Sequence, residues 1–150
     1  MNCTIDASVF VSATHTNELQ HLVSLDFLEQ VRIQGISIFC PTLVLPECMA
    51  AITRPTGDTA LAAHLMRMIE NIPGLNLAPL TSSLAHRAAK IAMTQRLRGA
   101  DSVYVAAAEE FDAILVTWDT EMLKRGAAIV QTITPALWLA QAQDNDQEAG

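Results

Sequence analysis

Short apolar runs and longer amphipathic stretches take turns along this chain. Cys3 to Asp6 reads as a first strand, and Val9, Phe10 and Val11 also suit an extended run. Glu18 to Gln34 reads as a helix. Leu19, Leu22, Val23, Phe27 and Val31 fall on one stripe, and Gly35 is placed to end it. Ile36 to Cys40 is a second strand. Thr42 is placed to cap a helix that runs to about Ile52, with Pro46 near its first turn, where amide groups lack partners anyway. Thr53 to Asp58 ("TRPTGD") is a break. Thr59 to Asn71 is helical again, with Leu61, Leu65, Met68 and Ile69 as its apolar stripe.

After the turn at Pro73 and Gly74, Leu75 to Ala78 forms a third strand. Ser82 or Ser83 caps a helix to about Arg98. Gly99 and Ala100 interrupt it, and Asp101 starts another helix to about Phe111. Ala113 to Thr117 ("AILVT") is the clearest buried strand. Thr120 to Arg125 is a short helix ended by Gly126, Ala128 to Val130 a last strand, and Thr134 to Gln141 a last helix. Strands alternating with helices predict an α/β fold in three layers, α/β/α, around a mainly parallel central sheet. We see no repeat and no linker. The sequence therefore reads as a single domain over residues 1–150, with residues 142–150 as a flexible acidic tail.

Composition narrows the functional classes. The chain has 150 residues, 51% hydrophobic and 17% charged, enough for a packed core. No apolar run approaches the roughly 18 residues of a membrane span, and no secretory signal pattern is visible, so a cytoplasmic protein is expected. Cys3, Cys40 and Cys48 form no CxxC pair and His15, His21, His64 and His86 are scattered, which argues against zinc. The formal net charge of −7 argues against a broad basic nucleic-acid surface. It leaves room for a small acidic site that takes a divalent cation and, through it, a phosphate.

Four acids fall where such a site would form. Asp6 ends the first strand, Glu47 lies a turn into the helix after the second, Asp101 begins the helix before "AILVT", and Asp119 stands two residues beyond that strand. Parallel sheets place ligands outside the carboxyl ends of their strands. Four carboxylates in one cleft repel each other unless they are protonated or neutralised by a cation. Oxygen-only donors suit Mg²⁺ or Mn²⁺. Singly, each acid has a plainer reading: Asp6 and Asp101 as caps, Glu47 as a solvated helix residue, Asp119 as a turn residue.

The segments "TIDASVF", "LPECMAAI" (Leu45 to Ile52) and "GADSVYVAAAEEFDAILVTWD" (Gly99 to Asp119) resemble, in this order, the PIN domain, especially the VapC-type toxin ribonucleases. The last segment is the most specific. The resemblance implies that Asp6, Glu47, Asp101 and Asp119 are the catalytic, metal-coordinating acids. It makes Ser8 and Thr117 supporting hydroxyls that orient carboxylates, waters or phosphate. Glu121 stands where many relatives carry a further Asp, and would support the same site. Arg96, Arg98, Lys124 and Arg125 are the basic residues nearest these acids in sequence and the expected RNA phosphate contacts. Trp118 is read either as a base-stacking platform or as packing at a loop edge.

The function implied is a Mg²⁺- or Mn²⁺-dependent endoribonuclease. It would be the toxin of a toxin–antitoxin pair, acting on RNA, forming a homodimer and silenced by a small antitoxin protein. The alternative is a PIN-fold binding or scaffold module with little or no nuclease activity, suggested by the charge and by Glu121. A phosphatase with Asp6 as nucleophile fares worse. That chemistry usually shows a second Asp two residues on, where this chain has Ser8.

Overall fold

The structure is a computed structural model and describes residues 1–16 and 19–150. Its elements run β1 (Asn2–Ile5), α1 (Ala7–Thr14), α2 (His21–Ile33), β2 (Ser37–Pro41), α3 (Val44–Thr56), α4 (Thr59–Glu70), β3 (Leu75–Ala78), α5 (Ser82–Gln95), α6 (Gly99–Glu110), β4 (Ala113–Val116), α7 (Thr120–Gly126), β5 (Thr132–Ile133) and α8 (Pro135–Glu148). The sheet order is β3-β2-β1-β4-β5, and every pairing is parallel. Strand order reverses between β1 and β4, the point where such sheets open a crevice. Helix α6 lies directly on β1, β2 and β4, with α5 against it; α1, α2, α3 and α4 pack among themselves, and α8 closes on α2. The three-layer α/β/α reading of the sequence holds. Among the described residues no helix is long and apolar enough to cross a membrane.

Continuous burial explains why β1 and β4 are central. Cys3, Ile5, Leu115 and Val116 have no exposed surface. A strand covered on both faces reads as an unbroken apolar run. Their register pairs Thr4 with Leu115 and Ile5 with Val116, so the next residue on each strand, Asp6 and Thr117, must emerge side by side.

The structure corrects several local expectations. Val9, Phe10 and Val11 lie in α1, not in a strand. Asp6 caps that helix, and burial of Val9, Phe10 and Ala13 on one face outweighs the strand preference of the run. Helix α2 begins at His21; Glu18, its expected start, lies outside the described residues. Its inward face is Ser24, Phe27 and Val31, whereas Leu22 is 71% exposed.

Helix α3 runs past the expected break to Thr56. Pro55 sits in its last turn, and Gly57 ends it in the left-handed conformation (φ 67°), donating to the Thr53 carbonyl. Thr81 caps α5 rather than Ser82 or Ser83, and Arg98, not Asp101, is the cap position of α6. The last strand is Thr132–Ile133. Ile129 and Val130 instead turn back to the Gly126 carbonyl to close α7. Helix α8 continues to Glu148, through most of the segment read as a tail.

Candidate active site at the carboxyl ends of β1 and β4

Asp6 is buried at the start of α1. Its amide donates to the Val116 carbonyl (3.0 Å), which ties it to β4. Its Oδ2 accepts the Ser8 amide (3.3 Å) as a helix cap and the Thr117 hydroxyl (2.9 Å) from the neighbouring strand. Thr117 Oγ1 in turn accepts the Asp119 amide at 3.0 Å. Ser8 Oγ accepts the Trp118 amide at 3.1 Å and lies 3.5 Å from Thr117 Oγ1. The two expected supporting hydroxyls therefore join the two strand ends and fix where Asp6 and Asp119 stand. Asp119 caps α7, its Oδ1 accepting the Met122 amide at 3.0 Å.

Asp101 is the third residue of α6 and nearly buried. Burial raises its carboxyl above the ordinary 3.8; the Arg98 ion pair pulls it back, and Asp119 and Asp6 raise it further. Glu47, in the first turn of α3, is likewise raised above 4.5. Burial is the main cause, Tyr104 counters it, and Asp6 and Asp101 add to it. Glu47 Oε1 and the Tyr104 hydroxyl are buried polar atoms without a well-formed hydrogen bond, in a fold where such atoms are costly. Asp6 and Asp101 act on the Glu47 carboxyl, Asp119 and Asp6 act on that of Asp101, and Arg98 bonds both Asp101 and Asp119. Glu47 also lines an open groove with Ala50, Ala51, Arg54 and Pro55 on α3.

Arg98 lies across this cluster. Its Nε donates to Asp101 Oδ2 (2.9 Å) and an Nη to Asp119 Oδ2 (3.0 Å). Among the described residues no three Asp, Glu, His or Cys side chains stand close enough together to hold a metal ion as they are. The donor set nonetheless fits a hard cation in chemistry. It is all oxygen, it outnumbers the one guanidinium four to one, and one of its oxygens, Glu47 Oε1, is buried without a well-formed hydrogen bond.

The remaining expected residues fall at the periphery. Glu121 is exposed and pairs with Arg125 (3.1 Å) one turn along α7, so it turns away from the four acids. Arg125 also donates to the Arg96 carbonyl, and Arg96 holds a left-handed backbone (φ 56°) after α5. Lys124 is exposed on α7. Arg87 forks onto Glu109 and ties α5 to α6.

Two contributors, Ser24 and Tyr104, escaped the sequence reading. Trp118 Nε1 donates to the buried Ser24 Oγ (2.9 Å), which lies 2.6 Å from Ser12 Oγ. The indole is thereby pinned to α1 and α2. The signal was a serine on the inward stripe of an apolar helix. The other is Tyr104, one turn after Asp101 and so on the same face of α6, fully buried beneath Glu47.

The family profile of the PIN domain matches residues 3–128. This chain belongs to the PIN domain family. No curated protein matches the sequence. Among solved structures, it is similar in fold to VapBC2 from Rickettsia felis bound to a promoter DNA fragment (TM-score 0.70, 13% identity, covering 89% of this chain and 98% of that one). It is similar to VapC20 from Mycobacterium tuberculosis, a Sarcin-Ricin loop cleaving toxin (TM-score 0.69, 12% identity, 87% and 98% covered). It is also similar to PAE2754 from Pyrobaculum aerophilum (TM-score 0.67, 18% identity, 94% of each covered).

Proposed function

We propose that the chain is a Mg²⁺- or Mn²⁺-dependent endoribonuclease that hydrolyses RNA phosphodiester bonds. The observation that supports this reading is the hydrogen-bonded cluster of Asp6, Thr117, Asp119, Arg98 and Asp101 at the carboxyl ends of β1 and β4, with the half-buried Glu47 carboxyl raised by Asp6 and Asp101. These four would hold the cation. When bound, it acidifies water and offsets the charge that builds on a phosphate oxygen. Ser8 and Thr117 keep the Asp6 and Asp119 carboxylates at fixed positions through the hydrogen bonds they make across β1 and β4. Arg96, Arg98, Lys124 and Arg125 supply the cationic rim for the RNA backbone. No protein nucleophile is required.

Toxin–antitoxin proteins recur among the similar folds, including FitAB bound to DNA and a complex from Klebsiella pneumoniae. They support a toxin role with a small antitoxin partner. We place the protein in the cytoplasm, as a homodimer of single-domain chains.

The test is cleavage of structured RNAs with Mg²⁺ or Mn²⁺, against EDTA and against Asp6→Asn. Asparagine still caps a helix, so the variant should fold yet lose about 100-fold or more in rate. Activity indifferent to both would overturn the mechanism. A second reading, a binding or scaffold module without nuclease activity, is favoured by Arg98 spanning two of the acids. Failure of the wild type to bind Mn²⁺ in calorimetry would select it.

A further inference from the structure

We propose that Arg98 is a tethered counter-ion that a divalent cation must displace, so that metal uptake and release of the guanidinium are one event. The inference rests on the metal-dependent reading above and deepens it.

Arg98 uses two of the oxygens a cation could take, including the one of Asp119 that α7 does not claim. Asp119 Oδ1 is committed to capping α7 and Asp6 Oδ2 to Thr117 and Ser8. Arg98 instead takes Asp119 Oδ2 and Asp101 Oδ2. A hard cation that draws on Asp119 therefore competes with the guanidinium for Oδ2, and one that uses Asp101 Oδ2 competes with it there too.

Arg98 is built to let go. Its side chain is 74% exposed, against 11% for Asp101 and 27% for Asp119. Exposed ion pairs are weak and the side chain has solvent to swing into. The backbone does not depend on the pair. Arg98 occupies the cap position of α6 in extended geometry with no capping side-chain bond, and Leu97 before it is buried. One guanidinium also leaves the four carboxylates mostly uncompensated, so a doubly charged ion has more to gain there than Arg98 does. Once released, the guanidinium hangs at the rim of the same site, where its fork matches a phosphate.

The experiment is Mn²⁺ titration by calorimetry of the metal-free wild type, Arg98→Gln and Arg98→Lys, without RNA. Removing the competitor should tighten Mn²⁺ binding by about three- to tenfold in Arg98→Gln, the scale of an exposed ion pair and one charge. Lysine keeps the charge but cannot fork two carboxylates, so Arg98→Lys should fall between. A purely structural Arg98 gives the opposite sign, weaker binding in both variants. Equal or weaker binding by Arg98→Gln overturns this inference while leaving the metal site standing. Absence of Mn²⁺ binding in all three folded proteins overturns the metal-dependent reading itself and this inference with it.

Discussion

Thr117 donates its hydroxyl proton to Asp6 Oδ2 across 2.9 Å while accepting the Asp119 amide at 3.0 Å. One fully buried side chain thus holds the carboxylates at the ends of two adjacent strands. Thr117→Val keeps the shape but leaves the Asp119 amide and one Asp6 contact unmet. It should lower unfolding free energy by about 1–3 kcal/mol, and Thr117→Ser by much less. Urea unfolding of the three proteins checks this; equal midpoints would show that the bridge carries no stability.

The Trp118 indole is held by Ser24, which also contacts Ser12. Ser24→Ala leaves the indole N–H without its partner. The expected cost is about 1–3 kcal/mol, with a shift in tryptophan emission that is absent when Trp118 is replaced by Phe, leaving Trp138 as the only reporter. An unchanged spectrum in Ser24→Ala would mean that the indole finds another acceptor.

Tyr104 is different because its buried hydroxyl has no well-formed partner. Burial and the neighbouring acids push that hydroxyl far above its ordinary range, so it stays protonated. Deleting it as Tyr104→Phe removes a desolvation cost and no more than a poorly formed contact with Glu47. The metal-free variant should be equally stable or more stable, by up to about 1 kcal/mol. A clear loss in urea midpoint would show that the hydroxyl is satisfied in solution, with Glu47 as the nearest candidate.

Glu47 and Asp101 give the metal-free protein a distinct pH response. Both carboxyls are raised in the folded state, mainly by burial, above the 4.5 and 3.8 of the unfolded chain. Between the ordinary and the raised values the folded state binds more protons. Stability contributed by these groups therefore falls as pH rises through that window, and the penalty is complete above it. Glu47→Gln removes its share, so its stability should fall less steeply with rising pH than that of the wild type. Denaturation midpoints across mildly acidic to neutral pH measure this, and parallel profiles would contradict it. Metal binding should respond in the opposite sense, strengthening as the same carboxyls ionise.

The sequence alone carried the alternation of elements and pointed to the four candidate acids. Apolar runs such as Ala113 to Val116 and the stripe of α4 are local patterns, and local patterns survive without tertiary information. The placement of Asp6, Asp101 and Asp119 at strand ends and helix starts was equally legible, as were Ser8 and Thr117 as their support. Three things were decided only by the folded chain. Val9 to Val11 became helix because Asp6 caps it and one of its faces meets the core. Glu121 turned outward because Arg125, one turn on, is its nearer charge. Ser24 rather than Leu22 faced inward, on the stripe of Phe27 and Val31, where it meets the indole of a residue 94 positions away. Arg98 belongs with these. Its link to Asp101 is local, but its link to Asp119 spans 21 residues and depends on α6 packing back along β4. Periodicity records which residues want burial; which charges meet is set by strand register, and register is a property of the assembled sheet.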